Sequence, residues 1–426
     1  MGLIKLLTDI VCKFRLNAFL LLFVLLPFAV SGQTYDILVT GGHVIDPKNQ
    51  IDGIYDVAIK DDKIAAVEKG ITSNEAALVV DASGLYVTPG LIDLHAHMFW
   101  GTSEGDYLAN SYNALPPDGF TLRYGVTTVV DAGGPGWKSF EQYKVQTIDK
   151  SKTRVKVFLN IVGAGMRGDP DEQDLADMDP RLTAMRVMEF EEIVGIKLAH
   201  FKGPNWEPTR RAVEAGRLSN VPIMVDFGRA DPPLSIEQLF LEELRPGDIF
   251  THCFADSTGR ESIVDENGIL KPFVKKAVER GIILDVGHGA GSFRWYVAIP
   301  ALEQGVKPQT ISTDLHTGSM NGGMKSQINV MSKFLNMGMS LQEVIEASTW
   351  KPAQVVHIEE ELGHLSVGAL ADVAVIRQLE GDFGFIDVEE TRMDGSRKLE
   401  CELTILGGEI VWDLNGISKS AWDEAE

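Results

Sequence analysis

Residues 87–97 read VTPGLIDLHAH, and this stretch decides the fold of the chain. Its apolar and β-branched residues predict a short buried strand. Because side chains alternate along a strand, His95 and His97 lie on the same face of it. Two neutral imidazoles are a poor choice for a hydrophobic core and good ligands for a transition metal. The stretch therefore predicts a buried strand that ends in a metal-binding pair.

Seven further apolar segments follow, and helix-compatible stretches separate most of them. They lie at residues 125–134, 154–163, 194–201, 221–228, 247–254, 281–289 and 309–316. Eight strands that alternate with helices are typical of a (β/α)8 barrel, which places its catalytic groups at the carboxyl ends of the strands. We therefore predict an α/β fold with a TIM-like barrel over residues 88–365.

The two ends of the chain share a different pattern, in which short predicted strands alternate apolar and polar residues. The phrase VTGGHVIDP near the start is similar to ILGGEIVWD near the end. This similarity predicts one small β-sandwich domain built from residues 34–87 and 366–415, followed by an acidic tail at residues 416–426.

The first 32 residues have the features of a secretory signal peptide. Three basic residues precede an apolar run at residues 18–30, and Ser31 and Gly32 follow it. The run is short for a transmembrane span, and an uncleaved anchor is the alternative. We expect an exported protein, periplasmic or extracellular, with no stable membrane span after cleavage.

The charge of the chain excludes some partners. Its 61 acidic and 39 basic residues give a net charge of −22. The resulting field repels nucleic acids and anionic membranes, so neither is expected as a partner.

Polar side chains occur at the ends of six of the eight predicted strands. They are His95, His97, Lys197, Asp226, His252, His288 and Asp314. Buried charges are costly unless they are paired or bound to a metal, so core packing does not explain this set. The set predicts a catalytic metal centre.

Lys197 and Asp314 have the most specific chemistry in this set. Burial lowers the pKa of a lysine, and its neutral amine can act as a base or react with CO2 to form a carbamate that bridges two divalent cations. The alternative for Lys197 is an ion pair with a nearby aspartate. Asp314 is the candidate general base, since a carboxylate can bind a metal and accept a proton from water.

Several phrases of the chain, in this order, resemble the amidohydrolase superfamily. They are PGLIDLHAH, VGIK, THCF, DVGHGAGSF, ISTDLHTGSMN and LGHLSVGALADVAVI. The phrases at the seventh and eighth strands are most similar to the amidohydrolase/deacetylase branch, near dihydroorotase-like and N-acyl amino acid deacetylase enzymes.

The resemblance implies a hydrolase that cleaves an amide or cyclic amide C–N bond outside a peptide chain. It implies a small-molecule amide or N-acyl substrate, and a homo-oligomer is compatible with it. Metal-activated hydroxide would attack, with Asp314 as ligand and base. One or two divalent ions are expected, Zn first and Mn as the alternative. His95 and His97 would bind the more buried ion, carboxylated Lys197 would bridge, and His252 would bind the second ion.

One position departs from the family pattern. Relatives commonly have a histidine at the end of the fifth strand, where this chain has Asp226. Asp226 either ligates the second metal, or has another role in a mononuclear site. His200 either supplies the missing imidazole or takes a role beside the metal or toward the substrate.

Three residues are candidates for contacts with the substrate. His288 and His316 could hydrogen-bond the substrate carbonyl or its oxyanion, and His288 is the second predicted catalytic residue. Arg167 follows the third strand and either binds a substrate carboxylate or is an exposed loop residue.

Two other functions stay open. The same site could cleave an ester or lactone, or the barrel could be a catalytically silent binding scaffold.

Overall fold

The computed structural model of the protein describes residues 33–103, 107–226, 228–257 and 259–422. The predicted signal peptide lies outside these residues, and so does the end of the predicted acidic tail. In the described part of the chain, no helix is long and apolar enough to cross a membrane.

The strands form two sheets. Those of the N-terminal part are β1 (Tyr35–Asp46), β2 (Ile51–Lys60), β3 (Lys63–Glu68), β4 (Ala76–Asp81) and β5 (Tyr86–Pro89). Those of the middle are β6 (Leu91–Ala96), β7 (Val126–Gly136), β8 (Arg154–Asn160), β9 (Ile193–Leu198), β10 (Ile223–Val225), β11 (Ile249–Phe250) and β12 (Ile283–Leu284). The last three are β13 (Val373–Ile386), β14 (Arg392–Leu406) and β15 (Glu409–Asp413).

The first sheet combines the two ends of the chain. Its order is β15-β14-β13-β5-β1-β2-β3, and β4 pairs with β1. The antiparallel pairing of β5 with β13 joins the N-terminal strands to the C-terminal ones. Apolar residues from both ends pack into one core, which explains why neither end forms a domain alone.

The middle strands form a parallel sheet in sequence order, from β6 to β12. The helices beside it are α1 (Phe140–Gln146), α2 (Pro180–Glu189), α3 (Glu207–Ser219), α4 (Ile236–Gln238), α5 (Pro272–Arg280), α6 (Trp295–Glu303), α7 (Gln327–Asn336), α8 (Leu341–Glu346) and α9 (Trp350–Val355). Two of these helices end at a residue with a left-handed backbone: Asn220 follows α3 and Gly281 follows α5.

The eighth predicted strand closes the barrel without forming a regular strand. Isolated parallel bridges join Asp285 to Thr310 and Ala96 to Leu315. Between these bridges, the hydroxyl of Thr310 donates to the Asp285 carboxylate and that of Thr313 to the Asp93 carboxylate. Side-chain hydrogen bonds thus replace part of the backbone ladder. The predicted fold class, a TIM-like barrel with a β-sandwich domain from both chain ends, is confirmed.

A buried lysine ties the sheet domain to the barrel. Lys333 on α7 is fully buried, and its Nζ lies 2.7 Å from the carbonyl oxygens of Gly323 and of Ile386 at the end of β13. The same Nζ lies 2.6 Å from Nε2 of His288, which follows β12. Burial lowers the pKa of this amine, and three acceptors surround it. Lys333 therefore connects the β13–β14 hairpin to the loop after the seventh strand.

Replacing Lys333 should destabilise the protein. We expect Lys333→Met to lower the free energy of unfolding by about 2–4 kcal/mol, because two carbonyl groups and His288 lose their hydrogen-bond partner in the interior. Urea denaturation followed by circular dichroism measures this change. The exposed Lys325 is the matched control, and Lys325→Met should shift stability by less than about 0.5 kcal/mol. Equal stability of the two variants would contradict this role for Lys333.

Candidate metal centre

The carboxyl ends of the barrel strands surround a small polar cavity of about 30 Å³. This volume suits ions or a water molecule and excludes an organic substrate. The charged and imidazole side chains that line it are His95, His97, Lys197, His200, Asp226, His252 and Asp314. The structure therefore brings together all six residues predicted as metal ligands, and adds His200.

The histidine pair at the end of β6 is held in one orientation. Thr251 Oγ1 donates to Asp285 Oδ2 at 2.7 Å, so it accepts a hydrogen bond from His95 Nδ1 at 2.8 Å. The Nε2 lone pair of His95 consequently points into the cavity. Burial, together with the nearby Lys197, lowers the pKa of His95 to about 3, so the ring is neutral. His97 Nε2 faces the same cavity, 2.9 Å from Asp314 Oδ1.

Lys197 reaches the cavity from β9 and is fully buried. Its Nζ lies 3.2 Å from His95 Nε2 and 3.6 Å from Met224 Sδ, and within the described residues it forms no ion pair with a carboxylate. Burial lowers the pKa of this amine. A Cβ on Gly133 would lie 2.8 Å from the Lys197 Cβ, so a glycine makes room for the lysine. The alternative of a Lys–Asp ion pair therefore has no support in these contacts.

Asp226 and His252 form the other side of the cavity. His252 Nδ1 donates to the carbonyl oxygen of Gly287 at 2.5 Å, which leaves Nε2 facing Asp226 Oδ2 at 3.3 Å. The other carboxylate oxygen, Oδ1, accepts from Arg260 Nη1 at 2.7 Å. Burial alone would raise the pKa of Asp226, but His252, Arg260 and His200 outweigh it and hold the pKa well below its usual range. Asp226 is therefore a carboxylate with one oxygen directed into the cavity.

Asp314 lies where the eighth segment turns, with a left-handed backbone (φ +54°). Its N–H donates to the His95 carbonyl at 2.6 Å, which aims the carboxylate back at the histidine pair. A Cβ on Gly289 would lie 2.3 Å from Asp314 Oδ2, so only glycine fits beside it. Burial would raise the pKa of Asp314, but His95, His316 and His97 hold it below its usual value. The group is therefore ionised at neutral pH.

The predicted substrate-contact residues do not all reach the site. His316 lines the larger cavity, and its Nε2 lies 3.9 Å from Asp314 Oδ2. His288 is buried against Phe293, with Nδ1 directed at the Gly289 carbonyl and Nε2 at Lys333. Both of its ring nitrogens are thus engaged by the protein itself, and this placement gives no support to a catalytic role. Arg167 lies outside the lining of both cavities, with Nε 3.5 Å from Asp171 Oδ2.

Sequence reasoning missed the residues that orient the ligands. Glu172 contacts His200 at 2.8 Å, Arg260 holds Asp226, and Thr251 links His95 to Asp285. Only the position of Thr251, next to His252, was a usable signal. Tyr107 lines both cavities, and burial raises its pKa to about 12, so its hydroxyl is protonated and can donate a hydrogen bond.

A substrate-sized cavity adjoins the small one. Its volume is about 1000 Å³, and it shares Tyr107, His200, Asp226, His252 and Asp314 with the small cavity. Arginines and serines on the outer wall, among them Arg229, Arg294, Ser257 and Ser292, add polar groups. A ligand in this cavity would therefore contact the polar cluster with one end only.

The donor set of the small cavity fits a divalent metal. Ligand atoms of His95, His97 and Asp314 lie within 4.8 Å of one another. The rings of His95 and His252 donate Nδ1–H to fixed oxygens and turn Nε2 lone pairs toward two carboxylates. Lone pairs and carboxylates that face each other in the interior need a cation between them. Imidazole and carboxylate ligands suit Zn and Mn.

Comparisons with known proteins agree with this architecture. The model of the amidohydrolase family matches residues 295–411 of the chain. A deacetylase of Brucella anthropi is 33% identical over 360 residues, which cover 83% of this chain and 86% of that protein.

Two solved structures extend the likeness over nearly the whole described fold. A crystal structure of an adenine deaminase has a TM-score of 0.79 at 29% identity and covers 89% of this chain and 100% of its own. A crystal structure of a dihydroorotase has a TM-score of 0.76 at 30% identity, with coverages of 88% and 99%. The chain therefore belongs to the amidohydrolase superfamily, in its deacetylase- and dihydroorotase-like branch, and is a hydrolase of C–N bonds.

Proposed function

We propose that the protein is a metal-dependent deacylase that removes an acyl group from the nitrogen of a small molecule. The observation that carries this proposal is the polar cluster at the bottom of the large cavity, where imidazole lone pairs meet two carboxylates. The deacetylase relative, which aligns over most of both chains, supports an N-acyl substrate. The dihydroorotase likeness supports a cyclic amide as the second candidate.

The ligands of the proposed centre are those that the sequence predicts. His95, His97 and Asp314 would hold the more buried ion, and His252 and Asp226 the second. Lys197 would bridge after its amine reacts with CO2, which gives a carbamate and releases one proton. When bound, the metal supplies Lewis acidity that polarises a carbonyl and acidifies water.

The protein groups then handle the proton and the substrate. Asp314 accepts the proton of the attacking water and returns it to the leaving nitrogen, which a carboxylate ionised at neutral pH can do. Tyr107, protonated and facing both cavities, donates a hydrogen bond to the bound substrate. The large cavity would hold the body of the substrate, and its reacting end would face the small cavity through the residues that the two cavities share.

A substrate panel separates the open functions. We expect purified protein loaded with Zn or Mn in the presence of bicarbonate to release acetate from N-acetyl amino acids, and a chelator to abolish this activity. Cyclic amides, acetyl esters and lactones form the comparison panel, with product release followed by chromatography. Faster cleavage of esters would contradict the amide assignment. Full activity after complete metal removal would contradict the metal mechanism.

Asp314→Asn should separate catalysis from metal binding. We expect kcat to fall about 10²- to 10⁴-fold, because the amide side chain cannot accept the proton, while His95 and His97 still hold metal. Steady-state kinetics and elemental analysis of the same sample measure both effects. Asp394→Asn, on an exposed position of β14, is the control and should leave kcat unchanged. A kcat within a few-fold of wild type would contradict the role of Asp314 as base.

Lys197→Ala should lose metal and regain it with small carboxylic acids. The deletion removes the bridging group and leaves a buried space, which acetate or formate can enter with its oxygens directed at the metals. We expect less metal per chain and partial restoration by added acetate. Lys202→Ala, in the loop that follows the same strand, is the matched control. A full metal content in Lys197→Ala without added acid would contradict the carbamate.

A further inference from the structure

His200 and His252 approach the same oxygen of the Asp226 carboxylate. His200 follows β9, where its backbone is left-handed (φ +57°), and this turn directs the ring into the small cavity. Its Nε2 lies 3.4 Å from Asp226 Oδ2, the same oxygen that His252 Nε2 approaches to 3.3 Å. Ligand atoms that share one metal at about 2.1 Å are spaced about 3–4 Å apart. Both contacts to Asp226 fall in this range, and binding of one metal would draw the two imidazole rings toward each other, since the three ligand atoms do not all lie within 4.8 Å of one another.

The hydrogen bond on the far side of the ring fixes which nitrogen of His200 is free. Nδ1 lies 2.8 Å from the carboxylate of Glu172, so Nδ1 carries a proton and Nε2 is the nitrogen directed at Asp226. Burial lowers the pKa of His200, but Glu172 and Asp226 outweigh it and raise the pKa, so a metal bound at Nε2 would take the place of the second proton. The Nε2 atoms of His200 and His252 therefore face one carboxylate oxygen. A metal ion at this point would accept lone pairs from both rings and from the carboxylate at once.

Further contacts hold the Glu172 side chain in position for its hydrogen bond with His200. Its side chain is buried, and besides His200 it accepts from the N–H of Gly168 at 3.2 Å. The next residue, Gln173, donates to the His200 carbonyl at 2.9 Å and accepts from the N–H of Lys202 at 2.9 Å. The loop thus holds the backbone and the ring of His200 together. Histidines that bind metals commonly donate their second N–H to a carboxylate in this way.

The Arg260–Asp226 contact leaves one oxygen of the carboxylate for a metal. Arg260 occupies Asp226 Oδ1, so only Oδ2 is directed at the cavity. One carboxylate oxygen replaces the histidine that relatives place at this strand end. A further nitrogen ligand from His200 would complete the coordination.

We propose that His200, oriented by Glu172, binds the second metal ion together with His252 and Asp226. This assignment rests on the proposed metal-dependent function and adds one ligand and one positioning residue to it. His200 is thus a metal ligand of this chain, and Glu172 acts through it.

His316 differs from His200 in which ring nitrogen carries the proton, and this difference makes the assignment specific to His200. Its Nδ1 accepts a hydrogen bond from the N–H of Gly318 at 3.0 Å, so the proton of the neutral ring is on Nε2. A protonated Nε2 cannot ligate a metal. The two histidines therefore have opposite tautomers, although both line the large cavity.

The test compares metal content in matched variants of the full protein. We expect about two metals per chain in the wild type, about one in His200→Gln, and about two in His316→Gln. Glu172→Gln should weaken binding of the second metal about 10- to 100-fold, whereas the control Asp171→Asn in the same loop should not. Elemental analysis after dialysis and the visible spectrum of the Co-substituted protein measure these effects. Two metals and an unchanged Co spectrum in His200→Gln would overturn the assignment.

A second measurement does not depend on how the variants fold. X-ray absorption at the metal edge of the wild type counts imidazole ligands, and we expect four across two metals. Three imidazoles would overturn the role of His200. One metal per chain in both wild type and His200→Gln would also overturn it, and would leave a mononuclear hydrolase intact. A wild type that binds no metal would contradict the proposed function as well.

Discussion

Buried charge inside the barrel governs how the site and its surroundings are arranged. Carboxylates, an amine and imidazole lone pairs meet inside the barrel, where desolvation makes each uncompensated polar group costly. Asp226 and Asp314 keep their negative charge despite burial, and the rings of His95 and His252 present lone pairs toward them. A divalent cation resolves this conflict better than protons do, because it accepts several lone pairs at once.

The surrounding structure serves to hold these donors in place. Thr251 and Asp285 fix His95, the Gly287 carbonyl fixes His252, and Glu172 fixes His200. Each bond sets a tautomer as well as a direction. Further out, Lys333 joins the loop after the seventh strand to the hairpin of the sheet domain, so the second domain stabilises the loop that carries Gly287. The orientation of the donors thus depends on contacts from both domains.

Much of the fold could be predicted from the sequence, because periodicity reports burial directly. The buried strand that carries His95 and the strand-rich chain ends were recognisable from local patterns. The eighth segment was harder, since Thr310 and Thr313 close the barrel partly through side-chain bonds to residues that are distant in sequence. No local pattern encodes such bonds.

The functional site, like the fold, could be predicted only in part from the sequence. Strand-end positions predicted the cluster around His95 and Asp314, because the barrel brings strand ends together. The direction of a side chain depends on its partners, so the sequence could not show that His288 faces Lys333. Glu172 and Arg260 lie outside the barrel strands, and nothing local marks them as partners of His200 and Asp226.

Anomalous diffraction at the zinc edge, on crystals of the zinc-loaded protein, tests the central claim most directly. The account predicts a strong peak about 2.0–2.2 Å from Nε2 of both His95 and His97, at the carboxyl ends of the barrel strands. An absence of anomalous density there, in crystals whose fluorescence shows bound zinc, would contradict the account.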